Sequence, residues 1–237
     1  MQDKVKKAAR LRILVVILFV LLAGLLWASI NANEAKTKAN IALANYYISL
    51  QDYGSADKYI TDHSFFRLIN FSSRDSLKKL KTQIDIDSTK KKTFFSLMNQ
   101  ADTLTKAALA SSATADSLLF IATSKTDGDQ LLNVIGGEKL IKARQLYDSA
   151  FGSGYEINDL IGSKIKTNLA TIEDTTAHFF KQYIDATYVL LQTGQEEKAK
   201  SALTQAQTLF DFARTFGIDL HSQDIPYLDT LHKILHK

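Results

Sequence analysis

Cysteine is absent from this chain of 237 residues, and proline occurs once, at Pro226. Without cysteine the chain can form no disulfide framework, no thiolate metal site and no cysteine nucleophile. One proline and ten glycines are too few for the many turns of a β-sandwich or barrel, whereas they suit long helices. We therefore expect an all-α fold that depends on its apolar core for stability.

Net charge is also lacking once the first twelve residues are set aside. The chain has 29 basic and 25 acidic residues, of which the first twelve hold five and one, which leaves 24 of each. A nucleic-acid-binding domain normally has a basic excess on its folded part. We therefore expect no nucleic-acid partner, although the sequence pI of the whole chain is about 9.0.

One long apolar run is present, from Ile13 to Ile30, and its only polar side chain is Ser29. As a helix it would span about 27 Å at ~1.5 Å per residue, close to the ~30 Å hydrocarbon core of a bilayer. The basic residues of the tail all precede it: Lys4, Lys6, Lys7, Arg10 and Arg12. By the positive-inside rule, this predicts a cytosolic tail at 1–12, a transmembrane helix at 13–30 and an extracytosolic domain at 31–237.

A cleaved signal peptide is the alternative, because it would begin with the same basic residues. Its apolar core is usually ~7–15 residues long, and the best cleavage point, Ile30-Asn31-Ala32, lacks the small-x-small pattern. We therefore expect an uncleaved anchor. In a bacterium it would lie in the inner membrane with the domain in the periplasm, and both alternatives export residues 31–237.

Gly24 and Ala28 are four residues apart within the apolar run, a small-xxx-small pair that permits close packing of two membrane helices. Small residues are common in membrane helices, and the motif is only two residues long. A homo-oligomer therefore has no further support in the sequence.

The rest of the chain has helical periodicity and no convincing strand. No glycine or proline separates the apolar run from the next helix, so the membrane helix is expected to continue into the domain. The predicted helices are Glu34 to Leu50, Ser55 to Thr61, Ser72 or Ser73 to about Ile86, about Ser88 through Ala108, Ala113 to Thr123, Glu138 to Phe151, two helices within 156–193, Gln195 to Phe216, and a last helix from about Asp224.

The connections between these helices are predicted from their composition. The stretch Thr171 to Asp174 has the spacing of a capping box, so residues 156–193 are divided there into two helices. Gly152-Ser153-Gly154 is expected to be an internal hinge, and His63 to Asn70, with two phenylalanines, a short helical turn or an irregular packing segment. Gly217 has the place of a helix C-cap.

Three stretches share a pattern of small and large residues at helical spacing: Leu43, Ala44 and Tyr47 with Tyr53, Ala56 and Ile60; Leu190, Gly194, Ala199, Leu203 and Ala206; and Ala143, Tyr147 and Ala150. The pattern resembles the tetratricopeptide repeat, in which two antiparallel helices approach closely at small residues. The alanines at 56, 143 and 199 do not follow the ~34-residue period of that family. The resemblance implies a divergent tetratricopeptide-like α-solenoid, with a plain helical bundle as the alternative.

The sequence contains residue types that occur in catalytic and metal sites, but none of them is part of a complete motif. His232 and His236 have the spacing of two zinc ligands, but no third ligand is near them in the sequence. Asp127-Gly128-Asp129 is too short for a calcium loop, and residues 152–154 lack the strand and the Lys-Ser/Thr pair of a phosphate loop. The acidic pairs Asp85 and Asp87, and Glu196 and Glu197, do not face each other on a helix. We predict no catalytic, cofactor-binding or metal-binding residues.

Two lysine clusters and one acceptor sequence remain. The clusters, Lys78, Lys79 and Lys81, and Lys90, Lys91 and Lys92, are expected to be solvated helix faces rather than a surface for anionic lipid headgroups. Asn70-Phe71-Ser72 is a glycosylation acceptor only if the domain is luminal in a eukaryote.

These observations favour a non-catalytic scaffold or adaptor, held in the inner membrane by one helix and binding other proteins with its exported domain. It resembles accessory subunits of envelope protein complexes, including those associated with the secretory translocon. A ligand-sensing helical bundle is the alternative. Because the cytosolic tail has only about a dozen residues, a sensor would need a membrane partner to pass its signal inward. An exported enzyme is a third hypothesis that no motif supports.

Overall fold

The computed structural model describes residues 2–61, 71–121, 127–220 and 224–235, with side chains from residue 12 in the first range and from residue 74 in the second. In these ranges all regular structure is helical, which confirms the predicted all-α class. The helices are α1 (Gln2–Ser49), α2 (Tyr53–Thr61), α3 (Phe71–Phe120), α4 (Gly128–Val134), α5 (Gly137–Gly152), α6 (Asp159–Gln192), α7 (Glu196–Phe216) and α8 (Ile225–Leu235).

The chain forms two compact units, Met1–Thr89 and Lys90–Lys237, and the boundary between them falls inside α3. The predicted hinge at residues 152–154 lies within the second unit, where Gly154 has a φ of +69°. Its flexibility stays a prediction. The predicted aromatic segment from residue 63 to residue 70 lies outside the described residues.

The first unit contains a helical hairpin made by the end of α1 and all of α2. Asp52 ends the turn, because its Oδ1 accepts a hydrogen bond from the Ser55 backbone N–H at 3.1 Å and so caps α2. Ala44 and Ala56 are fully buried, and the rings of Tyr47 and Tyr59 stack with centroids 5.4 Å apart. Small residues therefore allow the two helices to approach while large ones fill the space beside them. Ile60 and, from α3, Ile84 complete this core.

α3 is one helix of 50 residues, so the predicted breaks near Ser88 and Ala113 were wrong. The hydroxyl groups in this helix bond backward, to the carbonyl four residues earlier. Thr89 donates to Asp85 O at 2.7 Å, and Ser111 donates to Ala107 O at 2.8 Å. A hydroxyl used in this way cannot cap a new helix. Since no glycine or proline occurs between residues 71 and 120, nothing else ends the helix.

α6 is likewise continuous, and the predicted division at Thr171 to Asp174 was wrong. The Thr171 hydroxyl donates to Thr167 O at 3.0 Å instead of accepting from a backbone N–H, as a capping residue would. Ile165, Ile172 and Phe179 are buried at steps of seven residues along α6. One continuous stripe facing the core thus favours one continuous helix over two.

The second unit has its core between α6 and the shorter helices that pack against it. The residues of the small-and-large pattern are buried here: Ala143, Tyr147, Ala150, Leu190, Ala199, Leu203 and Ala206. Gly217 ends α7 with a φ of +66° and donates its N–H to Ala213 O, as predicted. α8 buries Leu228, Leu231 and Leu235. Such close packing at alanines is what both a solenoid and a bundle require.

Candidate functional site

The apolar run lies on the surface of α1. Among the described residues, one helix is long and apolar enough to cross a membrane, and it is the part of α1 from Arg12 to Ser49. From Ile13 to Trp27 its large apolar side chains are at least half exposed, from 50% for Ile17 to 73% for Phe19. Water-soluble monomers rarely expose a continuous apolar surface of this extent. The segment therefore has the length and the exposure that a membrane-spanning helix requires.

The folded part of α1 begins directly after this run. Asn33 and Thr37 are 9% and 6% exposed, and Ala44 on the same helix is fully buried. The Thr37 hydroxyl donates to Asn33 O at 2.8 Å, so its polar atom is satisfied within the helix. Only two residues separate Ile30 from the first buried position. The continuity predicted from the absence of glycine and proline is confirmed, because α1 has no break there.

A partly buried polar network joins α3, α5 and α6. The Tyr147 hydroxyl donates to Asp102 Oδ1, and Asn168 Nδ2 donates to the same oxygen at 2.8 Å and to the Tyr147 oxygen at 2.9 Å. Lys164 Nζ donates to Asp102 Oδ2 at 3.0 Å. Asp102 therefore accepts from three side chains on two other helices, and the network holds the helices in register.

The hydrogen bonds of this network shift the pKa values of Asp102 and Tyr147. Burial alone would raise the pKa of Asp102, but the hydrogen bonds from Tyr147 and Lys164 outweigh it and the pKa is lowered. Burial, followed by the hydrogen bond to Asp102, raises the pKa of Tyr147, which therefore remains a donor near neutral pH. A stable carboxylate with fully engaged oxygens suits a structural contact better than proton transfer.

A second polar cluster lies between α3 and α6. Gln182 is 2% exposed, and its Nε2 lies 3.0 Å from Ser112 O and 2.8 Å from Asp116 Oδ1. His178 Nε2 lies 3.0 Å from Asp116 Oδ2. Within the described residues no serine or threonine hydroxyl is bonded to His178, so the His–Asp pair lacks the nucleophile of a catalytic triad.

The α6–α8 cleft, a cavity of about 310 Å³, lies between α6 and the start of α8 and is lined by Lys181, Ile184, Asp185, Tyr188, Asp224 and Tyr227. The four α6 residues are spaced by three, four and seven positions, which places them on one helix face. Lys181 Nζ donates to Asp185 Oδ2 at 2.5 Å. This hydrogen bond raises the pKa of Lys181, with smaller contributions from Asp224 and Asp116. Asp224 is 6% exposed, and its Oδ2 has no hydrogen-bond partner in the part of the chain that the structure describes.

The acidic residues considered from the sequence lie in ion pairs or caps. Asp127 caps α4 by accepting from the Asp129 N–H at 3.0 Å, and Lys198 pairs with Asp129 at 2.8 Å. The other pairs are Lys200 with Glu196 and Glu197, Lys81 with Asp85, and Gln83 with Asp87. In the part of the chain that the structure describes, no group of three residues is placed to hold a metal ion.

Some of the residues considered from the sequence are described by the structure and others are not. His232 is described, whereas His236, Asn70 and the side chains of Lys4, Lys6, Lys7 and Arg10 lie outside the described residues. Lys78 and Lys79 are exposed and, with Asp75, line a surface depression of about 490 Å³. The acidic residue among them makes this surface less basic than the lysine cluster alone indicates.

Sequence reasoning missed Asp102, Asn168 and Asp224. Lys164 and Asn168 are four residues apart on α6, but their shared acceptor lies more than 60 residues earlier, on α3. Periodicity detects apolar stripes, and a single carboxylate beside such a stripe looks like a surface residue. In the sequence, Asp224 is only part of a predicted helix start. The packing of helices identifies Asp224 as buried and Asp102 and Asn168 as partly buried.

Comparison with protein-family models, with curated proteins and with solved structures finds no match to this chain. The exposed apolar segment and the α6–α8 cleft are two features that the internal packing of the described residues does not account for.

Proposed function

We propose that this protein is a non-catalytic scaffold or adaptor, anchored by one transmembrane helix, whose helical domain binds other proteins of an envelope complex such as one associated with secretion. The proposal rests on one observation, the continuity of α1 from the apolar run into the folded domain. One helix contains both the exposed apolar run at 13–30 and, from Asn33 onward, buried positions that continue to Ala44 in the core of the folded hairpin.

The direction of the anchor follows from charge. Five basic residues precede the apolar run, so the tail at 1–12 would remain in the cytosol and residues 31–237 would lie in the periplasm of a bacterium. The neutral charge of the exported part agrees with protein partners better than with nucleic acid.

Partner binding is supported by the helical hairpins. The buried alanines and the large residues beside them are those of the tetratricopeptide-like pattern, and proteins built from such hairpins bind partners in the grooves between them. An anchor confines the domain to the membrane surface, which raises its effective concentration toward membrane-bound partners. A short connection between the apolar run and the α1–α2 hairpin keeps that hairpin close to the bilayer.

Membrane anchoring is tested by alkaline carbonate extraction of the full chain. We expect the wild type to remain in the membrane pellet. A double variant, Leu18→Arg with Leu22→Arg, should be released, because each arginine at mid-membrane costs roughly 2.5–3.5 kcal/mol. Leu109→Arg is the matched control, since Leu109 is a similarly exposed leucine outside the run. Release of the wild type, or retention of the double variant, would contradict the proposal.

Partner binding is tested by mild crosslinking in intact membranes, followed by purification under denaturing conditions and mass spectrometry. The control is residues 1–30 fused to an unrelated soluble domain, which shares the anchor but not the helical domain. We expect at least one protein to crosslink reproducibly with the full chain and not with the control. If both chains give the same proteins, the helical domain is not a binding module.

A further inference from the structure

Asp224 is a buried carboxylate with an unsatisfied oxygen in the α6–α8 cleft. It is 6% exposed, and among the described residues its Oδ2 has no hydrogen-bond partner. Removing a carboxylate from water without a compensating partner is costly in free energy. A donor bound in the cleft would supply the partner that the described part of the chain does not give this oxygen.

The start of α8 stabilises this carboxylate only in part. Asp224 directly precedes the first residue of α8, where a carboxylate usually accepts from the N–H two or three positions later. The residue two positions later is Pro226, which has no N–H. The positive end of the helix dipole favours a negative charge here, but its effect is small compared with the desolvation of an ion.

Lys181 does not balance the charge of the cleft. Its Nζ bonds Asp185 Oδ2 at 2.5 Å, so one ammonium group serves a site with two carboxylates. Among the described lining residues Lys181 is the single cation, so two carboxyl groups and one ammonium group give these residues a formal net charge of −1. A monovalent cation would neutralise it.

The remaining lining residues indicate the form of that cation. Tyr188 and Tyr227 are 40% and 49% exposed, so aromatic surface is accessible at the cleft. A volume of about 310 Å³ lies at the lower end of ordinary ligand sites. Aromatic surface beside a carboxylate is the setting that a guanidinium group prefers, because it can stack on a ring and donate two hydrogen bonds.

We propose that the α6–α8 cleft binds the guanidinium group of an arginine side chain presented by a protein partner, with Asp224 as its main acceptor. The proposal rests on the proposed function only for the source of that arginine. Tyr188 and Tyr227 flank the side chain, and Lys181 keeps Asp185 neutralised so that one further cation enters.

The test measures binding of a short peptide to the full-length protein in lipid nanodiscs. The probe is Ac-Gly-Arg-Gly-NH₂, and its matched control replaces arginine with citrulline, which has nearly the same shape without the charge. We expect the arginine peptide to bind about tenfold or more tightly than the citrulline peptide, as measured by saturation-transfer NMR, because a charged hydrogen bond is lost. Asp224→Asn should remove this preference.

Asp229→Asn is the control variant, because Asp229 is an exposed carboxylate on the same helix outside the cleft. It should retain the preference for arginine. Asp224→Asn should unfold at a temperature no lower than the wild type, since an amide replaces an unsatisfied buried charge. Loss of binding in that variant would then not be due to unfolding.

Three results would overturn the proposal: equal binding of the two peptides to the wild type, an arginine preference that persists in Asp224→Asn, or a preference that appears only in Lys181→Met. The last would show that Lys181 already satisfies both carboxylates. Each of these results would leave the carbonate extraction and the crosslinking outcome unchanged, so failure here is distinct from failure of the proposed function.

Discussion

Tyr147 on α5 donates its hydroxyl hydrogen to Asp102 Oδ1 on α3, and Asn168 on α6 donates to both of these oxygens. Tyr147 is fully buried, and Asp102 has a side chain 19% exposed. Tyr147, Asp102 and Asn168 therefore join three helices through a partly buried polar contact beside the apolar core. A buried network of this kind stabilises when every member has a partner and destabilises when one is removed.

Removing the Tyr147 hydroxyl should destabilise the protein. Tyr147→Phe keeps the ring but deprives Asp102 and Asn168 of one shared partner. We expect a loss of about 1–3 kcal/mol in the free energy of unfolding, the usual cost of leaving buried polar groups unsatisfied. Urea denaturation followed by circular dichroism measures it. Tyr46→Phe, at a tyrosine that is 58% exposed, should change little. Equal effects of the two substitutions would argue against a structural network.

The Asp102 network should make stability depend on pH in acid. Folding lowers the pKa of Asp102, so the native state favours the ionised carboxylate. The resulting stabilisation is complete above the unfolded pKa of about 3.9 and is lost as pH falls through the lower folded value. The difference in free energy of unfolding between wild type and Asp102→Asn should therefore be constant from about pH 7 to pH 5 and narrow below about pH 4. A difference that stays constant into strong acid would show that Asp102 does not contribute through its charge.

Gly136 should not tolerate alanine. A Cβ at this position would lie 2.8 Å from Ala108 Cα on α3, and a backbone atom cannot move aside as a flexible side chain can. We expect Gly136→Ala to cost about 1–3 kcal/mol in the free energy of unfolding, as overpacking of a core does. The matched change is Gly162→Ala within α6, where the nearest atom is Ile157 Cδ1 at 3.8 Å. That variant should gain roughly 0.5–1 kcal/mol, because alanine favours the helix. If both substitutions destabilised the protein, the cost would come from the lost conformational freedom of glycine and not from the steric clash with Ala108.

α1 should behave as one rigid rod between the apolar run and the hairpin. Because the chain has no cysteine, two spin labels can be placed specifically, at Ala28→Cys within the run and Tyr46→Cys in the hairpin, both exposed on α1. Eighteen residues of helix predict a backbone separation of about 27 Å. We expect a narrow distribution near that distance by double electron–electron resonance in nanodiscs. A broad or bimodal distribution would indicate a hinge and would remove the argument that the domain is held close to the bilayer.

Helix ends show why part of the fold was accessible from local sequence. Gly217 was identified as a C-cap and Asp224 as a helix start, because both signals reside in a few neighbouring residues. Capping patterns inside α3 and α6 wrongly indicated that new helices begin there. A threonine or serine that can cap a helix can also bond the carbonyl four residues earlier, and the choice between them depends on whether the apolar stripe continues on both sides.

Sequence alone determined the helical class, the exposed apolar run at Ile13–Ile30 and its continuity with the next helix, because composition and periodicity are local properties of a chain. The tertiary structure decided which polar residues are buried and which residues they contact. Asp102, Asn168 and Asp224 became significant only when helices distant in sequence were packed together, since burial and hydrogen bonding depend on neighbours that periodicity does not identify.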